Sequence, residues 1–306
     1  MGKGDSETPP NSCRLIMFGG KGGVGKTSCA ASTALHYASL GQRTLVISTD
    51  AAPSLSHIFE IRGDRKPVRV QGSLYMDELG LTEVREMWDR KFGREVYEVF
   101  SSFIDIDYES FVVFMTSLLP GLSDEFMVDY IRELRSGSEY DSIIWDTAPL
   151  GQTLTLLQTP AMLQEHLKMA PRIYSKLKVG QKSREPIMDI IKRWQKLSAD
   201  NMDFLRNEVE FTMVTIPEAL AVEQLRGVIG ELKGYGIRVQ QLIINNVVKA
   251  EGSDFLLTKA SHQKPYIDAI YDKYSELKLI ELPLFPYEIR GLDGLNKAAG
   301  VLFPNP

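Results

Sequence analysis

The feature that most constrains the fold is the glycine-rich segment Gly20–Thr27, which reads GKGGVGKT. It satisfies the phosphate-loop pattern, in which backbone N–H groups wrap a phosphate and the following helix N-terminus favours its negative charge. The apolar run Arg14–Phe18 precedes it and predicts a strand, whereas Lys26–Leu40 follows with a helical pattern that Gly41 ends. A strand, a phosphate loop and a helix in this order predict a nucleotide-binding α/β domain.

Four polar side chains are candidates for the chemistry at such a site. We expect Lys26 to reach the terminal phosphates and the Thr27 hydroxyl to ligate Mg²⁺. Asp146 ends an apolar run and is expected to hold the water shell of that Mg²⁺. Asp50 ends another apolar run and is placed to activate or orient the attacking water. A helix cap or a turn is the alternative role for both carboxylates.

Short apolar runs alternate with longer helical ones along most of the chain. This rhythm is typical of a mostly parallel central sheet flanked by helices. The predicted strands are Arg14–Phe18, Thr44–Thr49, Ser142–Asp146, Phe211–Thr215, Gln241–Asn245 and Lys278–Glu281. Two further helices are predicted, over Pro217–Lys233 and His262–Leu277. The predicted fold class is therefore α/β.

Two stretches, 82–137 and 160–207, have helical patterns without a strand signal. We interpret them as an α-helical subdomain that is inserted into the nucleotide-binding core and binds a client. The rest of the chain divides into that core, over 13–81, 138–159 and 208–306, and a flexible tail, over 1–12.

Both helical stretches carry apolar residues at helical spacing, which predict faces that one subunit leaves partly uncovered. These residues are Val96, Phe100, Phe103 and Phe111–Leu119 in the first stretch and Met188, Ile191 and Trp194 in the second. Two such faces in a closed dimer would form a groove for a client helix of about 20 residues.

Composition excludes several classes of protein. Thirty-five Lys and Arg face forty Asp and Glu, and the net charge of −5 argues against a nucleic-acid binder. No apolar run approaches the ~20 residues that span a bilayer, and the N-terminus has no secretory signal, so we expect a cytoplasmic protein. Two cysteines, Cys13 and Cys29, cannot by themselves form a four-ligand zinc site.

Lys21, the second residue of the phosphate loop, indicates a particular class of ATPase. A lysine at this position resembles the deviant phosphate loops of dimeric ATPases, which include positioning, plasmid-partitioning and arsenite-pump ATPases. In those families the lysine contacts phosphate across the dimer. The resemblance therefore implies a homodimer in which Lys21 takes part in catalysis, and an exposed loop lysine is the alternative.

Two longer segments carry a more specific resemblance. Ser48–Ser56 resembles the first switch, and Asp146–Leu154 the second switch, of the arsenite-pump and tail-anchored-protein targeting ATPases. Further matching segments follow in the family's order at Leu119–Glu125, Thr215–Leu220, Ile243–Asn246 and Pro283–Gly291. The resemblance implies a homodimeric ATPase that uses ATP and Mg²⁺ and binds hydrophobic transmembrane segments. A membrane receptor would be a further partner.

The resemblance also implies roles for individual residues. Asp50 would orient the hydrolytic water, Glu218 and Asn245 would lie at the nucleoside, and Pro283–Arg290 would close over the base. An amide can donate to and accept from a purine edge, although a turn asparagine and a helix-start carboxylate are the alternatives for these two residues. Together with Asp50, the expected site residues are Gly20, Lys21, Gly22, Gly23, Val24, Gly25, Lys26, Thr27, Ser28, Asp146, Glu218, Asn245 and Pro283.

The chain departs from the family pattern in two places. In the first switch, Ala51 and Pro53 replace the usual residues and His57 stands where the family has an aspartate, which puts the timing of the switch in doubt. Between Lys249 and Gln263 the chain has no Cys-x-x-Cys pair, with which eukaryotic members join two subunits through zinc. Because the thiolate ligands are missing, we expect no structural zinc.

Three other functions fit the sequence less well. An arsenite-pump catalytic subunit needs thiolates for the metalloid, and neither cysteine lies in the helical stretches. A partitioning or positioning ATPase is disfavoured by the long helical stretches and by the negative net charge. A nucleotide-gated scaffold without hydrolysis is the third alternative, if the altered first switch is inactive.

Overall fold

The computed structural model describes residues 13–50, 54–61, 67–101, 105–118, 122–149 and 181–304, together with residues 151, 158, 165 and 168. Within these residues, eight strands form one sheet in the order β3-β4-β2-β5-β1-β6-β7-β8. The strands are β1 (Arg14–Gly20), β2 (Thr44–Ser48), β3 (Val68–Gln71), β4 (Leu74–Glu78), β5 (Ser142–Asp146), β6 (Glu210–Thr215), β7 (Val239–Val247) and β8 (Lys278–Pro283). Every neighbouring pair is parallel except the antiparallel pair β3–β4.

Helices cover both faces of the sheet, as a parallel sheet requires. They are α1 (Lys26–Ser39), α2 (Leu55–Phe59), α3 (Leu81–Trp88), a π-helical turn (Asp89–Gly93), α4 (Arg94–Phe100), α5 (Tyr108–Leu118), α6 (Leu122–Ser136), α7 (Gln181–Asn207), α8 (Ala219–Gly234), α9 (Asp254–Lys273) and α10 (Gly291–Leu302). The predicted α/β class is confirmed, and no helix in the described part of the chain is long and apolar enough to cross a membrane.

Alternating side chains of the central strands build two separate cores. Leu15 and Met17 of β1 pack on the face that α8, α9 and the helices between β4 and β6 cover. Ile16 and Phe18 of the same strand pack on the opposite face, against α1, α2 and α10. Because both faces are buried, the strand reads as an uninterrupted apolar run, which explains why the sequence pattern found it.

The sheet differs from its prediction at one edge. The hairpin β3–β4 was not predicted, because its first strand is short and alternates half-buried with exposed residues. Gly72, with φ 52°, and Ser73 form the two-residue connection, and this turn chemistry is the signal in the sequence that could have found the hairpin.

One predicted helix has wrong bounds. The sequence pattern predicted a helix over His262–Leu277, whereas α9 begins at Asp254 and ends at Lys273. The Ser253 hydroxyl caps its start by accepting a hydrogen bond from the Leu256 N–H, at 3.4 Å. Most of α9 is exposed, so it lacks the broad apolar stripe from which its first two turns could have been recognised.

Three residues expected on an uncovered apolar face are in fact core residues. Val96, Phe111 and Ile191 are all nearly inaccessible to solvent, and the first two belong to the core that the helices between β4 and β6 share with the sheet. Trp194 is half-buried and packs edge-to-face on Phe92, with ring centroids 5.5 Å apart. Helical periodicity showed that these faces are buried, but the neighbouring helices of the same chain bury them.

The other residues of the expected groove have different outcomes. Met188 is half-buried on α7. The placement of Phe103, and of the side chains of Phe100 and Phe114–Leu118, lies outside the described residues, as does Leu119.

A buried polar contact joins α6 to α7. The Asn201 side-chain amide donates to Glu125 twice, at 2.9 Å to the carboxylate Oε1 and at 3.2 Å to the backbone carbonyl. Burial raises the pKa of Glu125 to about 7, although the hydrogen bond from Asn201 acts in the opposite direction. The carboxyl group of Glu125 therefore takes up a proton near neutral pH while it stays buried between two helices.

Replacing Glu125 by glutamine is expected to change how stability depends on pH. An unfolded Glu has a pKa of about 4.3, so the folded wild type binds more protons than the unfolded chain between pH ~4.3 and ~7. The contribution of Glu125 to the unfolding free energy must therefore fall as pH rises through that window, by about 4 kcal/mol at most. Glutamine keeps an oxygen for Asn201 but does not titrate. Denaturant unfolding at several pH values from 4.5 to 8 gives the unfolding free energy of both proteins. The value for the wild type minus that for the variant should decline over this range. A difference that does not change with pH would contradict the assignment.

Candidate nucleotide-binding site

The phosphate loop lies between β1 and α1, at the carboxyl edge of the parallel strands. Gly23 and Gly25 have φ of 79° and 91°, a left-handed backbone that glycine adopts without steric cost. Gly20 ends β1 so close to β6 that an added Cβ would lie 2.4 Å from the Val214 carbonyl oxygen. Since the N-cap Gly25 has no side chain, the N–H groups of the first turn of α1 are available to an anion.

The rest of the loop surrounds the Lys26 ammonium. Val24 is buried, Gly22 is exposed and Lys21 is half-buried. The Lys26 side chain is buried, and its Nζ donates to the Lys21 carbonyl at 3.3 Å. Desolvation lowers the pKa of Lys26, whereas the negative charges of Asp146 and Asp50 oppose that shift. The loop therefore holds one desolvated cation in the field of two carboxylates.

A hydroxyl and a carboxylate meet beside this lysine. The Thr27 Oγ1 donates to Asp146 Oδ2 at 2.8 Å. Asp146 is fully buried, and its other oxygen, Oδ1, has no hydrogen-bond partner among the described residues. Burial raises the pKa of Asp146 to about 7, opposed by Thr27 and Lys26. A hydroxyl, a carboxylate and a spare acceptor oxygen fit the oxygen-donor set that Mg²⁺ prefers beside a nucleotide.

Asp50 follows β2 at the same edge. Its backbone N–H donates to the Ser48 Oγ at 3.2 Å, and its carboxylate is half-buried. Ser48 pairs with Asp146 across the β2–β5 register, so the two acidic residues end adjacent strands. The negative charge of Asp50 acts on both Lys26 and Asp146. The fold thus brings together the four polar residues that the sequence singled out for chemistry.

A cavity of about 700 Å³ opens beside the phosphate loop. It is lined by Gly23, Gly25, Thr27, Ser28, Ser54, His57, Ile58, Asn245, Asn246, Leu284, Phe285, Tyr287, Glu288, Ile289 and Arg290. The volume is in the range of small-molecule sites, and its wall combines loop backbone with aromatic side chains. The segment expected to close over a base contributes six of these residues, 284–285 and 287–290.

The two residues expected at the nucleoside occupy different places. Asn245 lines the cavity but is buried, with Nδ2 donating to the Val24 carbonyl at 2.8 Å and Oδ1 accepting from the Asn246 N–H at 2.8 Å. Glu218 is exposed at the N-cap of α8 and is not among the residues that line the cavity. Pro283, which ends β8 opposite Val247, is not among them either. Their roles at a nucleoside stay predictions.

Sequence reasoning missed several residues that hold this site together. The Gln263 side chain bridges the end of β7 by accepting from the Val248 N–H at 2.8 Å and donating to the Asn246 carbonyl at 2.9 Å. Arg290 Nε donates to Glu60 Oε1 at 2.8 Å and so joins the end of α2 to the loop before α10. The partners in these contacts are remote in sequence, and no spacing pattern predicts that they meet.

Comparisons with known proteins identify the family of the chain. The sequence profile of the anion-transporting ATPases matches residues 13–304. A protein of Aquifex aeolicus provisionally named arsenical pump-driving ATPase 2 is 30% identical over 302 residues, which cover 93% of this chain and 97% of that protein. ATPase ASNA1 homolog 1 of Paramecium tetraurelia is 28% identical over 94% of this chain and 92% of its own. ATPase GET3A of Arabidopsis thaliana is 28% identical over 93% of this chain and 82% of its own. The chain therefore belongs to the anion-transporting ATPase family and hydrolyses ATP.

Proposed function

We propose that the protein is a homodimeric, Mg²⁺-dependent ATPase of the cytoplasm that captures the transmembrane segments of tail-anchored membrane proteins and targets them to a membrane. One observation carries this proposal: α3, the first of the helices α3 to α7, begins at Leu81 directly after β4, whose last residue, Glu78, pairs with Ser48 two residues before Asp50. A change at the phosphates is thus connected within a few residues to the first of the helices that would bind a client. The resemblance of both switches to targeting ATPases and the relatives named ASNA1 and GET3A support the same function.

Residues of the phosphate loop and of the adjacent strand ends divide the chemistry of hydrolysis among them. Thr27 and Asp146 would hold a Mg²⁺ ion, which when bound neutralises charge on the phosphates. The Lys26 ammonium, buried and already desolvated, would bind the terminal phosphates, while the glycine backbone wraps them. Asp50 accepts a hydrogen bond from the attacking water and orients it, because its carboxylate is accessible at the same edge of the sheet.

Lys21 supports the dimeric assembly. Its backbone carbonyl accepts a hydrogen bond from Lys26, while its side chain is half-exposed at the start of the phosphate loop. A half-exposed ammonium beside the phosphates is placed for a nucleotide in a second copy of the chain. Because ATP would bind the dimer more tightly than the monomer, it should stabilise the dimer by mass action. Light scattering should therefore find a larger fraction of dimer with ATP than without it.

The cysteines argue against a metalloid-binding pump subunit, although relatives with arsenical pump names match this chain at similar identity. Cys13 and Cys29 are both buried, and they belong to the two cores on opposite faces of the sheet. Burial raises the pKa of Cys13 to about 11 and that of Cys29 to about 12. A thiolate ligand is therefore unfavourable at either position. No nucleic-acid partner is proposed, since the net charge is −5.

Capture of a client should depend on exposed apolar residues of the helical insertion. Val113 on α5 is 47% exposed, so a charge there is tolerated by the fold but opposes binding of an apolar helix. We expect Val113→Asp to lower capture of a C-terminal transmembrane segment about fivefold, with ATP hydrolysis within about twofold of wild type. Capture is measured by co-purification of a tagged model segment with ADP or with a nonhydrolysable ATP analogue.

Leu40→Asp is the matched control, because Leu40 is 62% exposed and lies at the end of α1, outside the insertion. It should capture the segment as well as wild type does. Equal capture by Val113→Asp and wild type would contradict a client surface at α5. Capture that does not differ between ADP and the ATP analogue would contradict nucleotide control.

A further inference from the structure

We propose that Glu78, at the end of β4, is a positioning residue for ATP hydrolysis. Its Oε1 accepts hydrogen bonds from the Leu55 N–H at 2.8 Å and from the Ser56 N–H at 3.2 Å. These are the first two residues of α2, whose own N-cap residue, Ser54, makes no capping bond with its side chain. A carboxylate from a neighbouring strand therefore holds the start of this short helix, which at five residues is too short to be stable alone.

The helix that Glu78 holds forms one wall of the nucleotide cavity. Ser54, His57 and Ile58 reach the cavity from α2 or its N-cap. The connection from β2 to α2 begins at Asp50, so the position of α2 limits where the Asp50 carboxylate can lie. Glu78 is not among the residues that line the cavity, and it acts through α2.

Both ends of the connection from β2 to α2 are held by one pair of neighbouring residues on β2 and β4. Ser48 and Glu78 are paired in the β2–β4 register, and the Leu79 N–H donates to the Ser48 carbonyl at 2.9 Å. The Ser48 hydroxyl accepts from the Asp50 N–H at the start of the connection, while Glu78 accepts from Leu55 at its end. Two adjacent side chains on paired strands thus hold the two described ends of this connection, at Asp50 and at Leu55, while the phosphate-binding residues are held separately by β1 and β5.

Because Asp50 and the phosphate-binding residues are held by different strands, we can predict which kinetic constant a change at Glu78 affects. Lys26, Thr27 and Asp146 do not depend on Glu78 for their positions, so the contacts to the phosphates stay intact and the affinity for ATP should change less than kcat, through the α2 wall of the cavity alone. Misplacing a water-orienting carboxylate by a fraction of an ångström affects only the chemical step. We expect Glu78→Ala to lower kcat about tenfold while KM for ATP stays within about twofold. Glu78→Gln keeps an acceptor oxygen at the same reach and should recover kcat to within about threefold of wild type.

The chain offers a matched control on the adjacent helix. Glu83 Oε2 accepts from the Gly80 N–H at 3.0 Å and so caps the start of α3, which contributes no residue to the cavity lining. Glu83→Ala should cost a similar amount of stability in thermal unfolding but leave kcat unchanged. An equal fall of kcat in Glu83→Ala would show a general effect of lost stability and overturn the positioning role. Glu78→Asp, with a carboxylate set back by one methylene, replaces Glu78→Ala if that variant does not fold, and wild-type kcat in it would equally overturn the role.

The inference rests on the proposed role of Asp50, and the experiment separates the two. Asp50→Asn is assayed beside the Glu78 variants. Loss of hydrolysis in Asp50→Asn with wild-type kcat in Glu78→Ala would overturn the positioning role of Glu78 alone. Wild-type hydrolysis in Asp50→Asn would remove Asp50 from the mechanism and the inference with it. A fall of kcat in Glu78→Ala, recovery in Glu78→Gln and no change in Glu83→Ala would establish the role.

Discussion

Asp50→Asn should lower kcat for ATP hydrolysis by at least ~100-fold while Mg-ATP binding stays nearly normal, since a positioned acid or base contributes rate factors of this size. The amide has nearly the same shape but is a poor base, and the Asp50 N–H still donates to Ser48 in the variant. Binding should persist because the loop, Lys26 and Thr27 are intact. Phosphate release gives the turnover, and the fluorescence of a labelled ATP analogue gives the binding.

Asp141→Asn is the control for removal of a carboxylate elsewhere. Asp141 precedes β5 at the opposite end of the strand from Asp146, where its Oδ2 accepts from the Arg43 N–H at 2.7 Å. This variant should hydrolyse ATP at the wild-type rate. Full turnover by Asp50→Asn would remove that residue from the mechanism and would favour a base elsewhere in the cavity.

Gly25→Ala should weaken ATP binding by at least ~100-fold, because the new methyl group meets two obstacles. The backbone there has φ 91°, which costs an alanine roughly 1–2 kcal/mol. The added Cβ would also lie 2.3 Å from Asn245 Nδ2, so the amide must leave the Val24 carbonyl to which it donates. The strain and the lost hydrogen bond both displace the loop that wraps the phosphates. Equilibrium dialysis with ATP gives the affinity, and denaturant unfolding without nucleotide gives the stability.

Gly23→Ala separates the cost of backbone strain from the cost of the clash with Asn245 in the nucleotide-free protein. Gly23 has φ 79°, but an added Cβ there has no heavy atom within 4 Å, so only the backbone strain remains. Its unfolding free energy should fall by less than that of Gly25→Ala. Equal losses of stability in the two variants would show that the contact between Asn245 and the loop contributes nothing.

Local patterns carried the prediction of the central sheet and of the catalytic edge. Leu15–Phe18 and Ile143–Trp145 are apolar throughout because both faces of a central parallel strand are buried. Carboxyl ends of parallel strands share one edge, so the strand pattern alone places Asp50 and Asp146 beside the phosphate loop. The same reasoning was weaker for β3, an edge strand whose side chains are half in solvent.

The expectation of an uncovered apolar face on the helices between β4 and β6 shows what an apolar pattern cannot predict. Periodicity identified the buried faces of α4, α5 and α7, but Val96, Phe111 and Ile191 are buried within the chain itself, the first two in a core to which neighbouring helices contribute. A hydrophobic stripe predicts that a face is buried and contains no information about which surface buries it. Val113 is as apolar as these residues, and only its solvent exposure in the folded chain distinguishes it from them.

The sequence by itself determined the phosphate loop, the parallel strands and the acidic residues at their ends, because these features depend on local backbone conformation and on burial periodicity. Only the tertiary structure decided which side chains hold them in place. Asn245 contacts Val24 of the phosphate loop, 221 positions away in the sequence. Glu78, at the end of β4, caps the start of α2, which precedes it in the chain. A hydrogen bond between remote residues leaves no periodic trace in the sequence, since its two partners come together only when the sheet has formed.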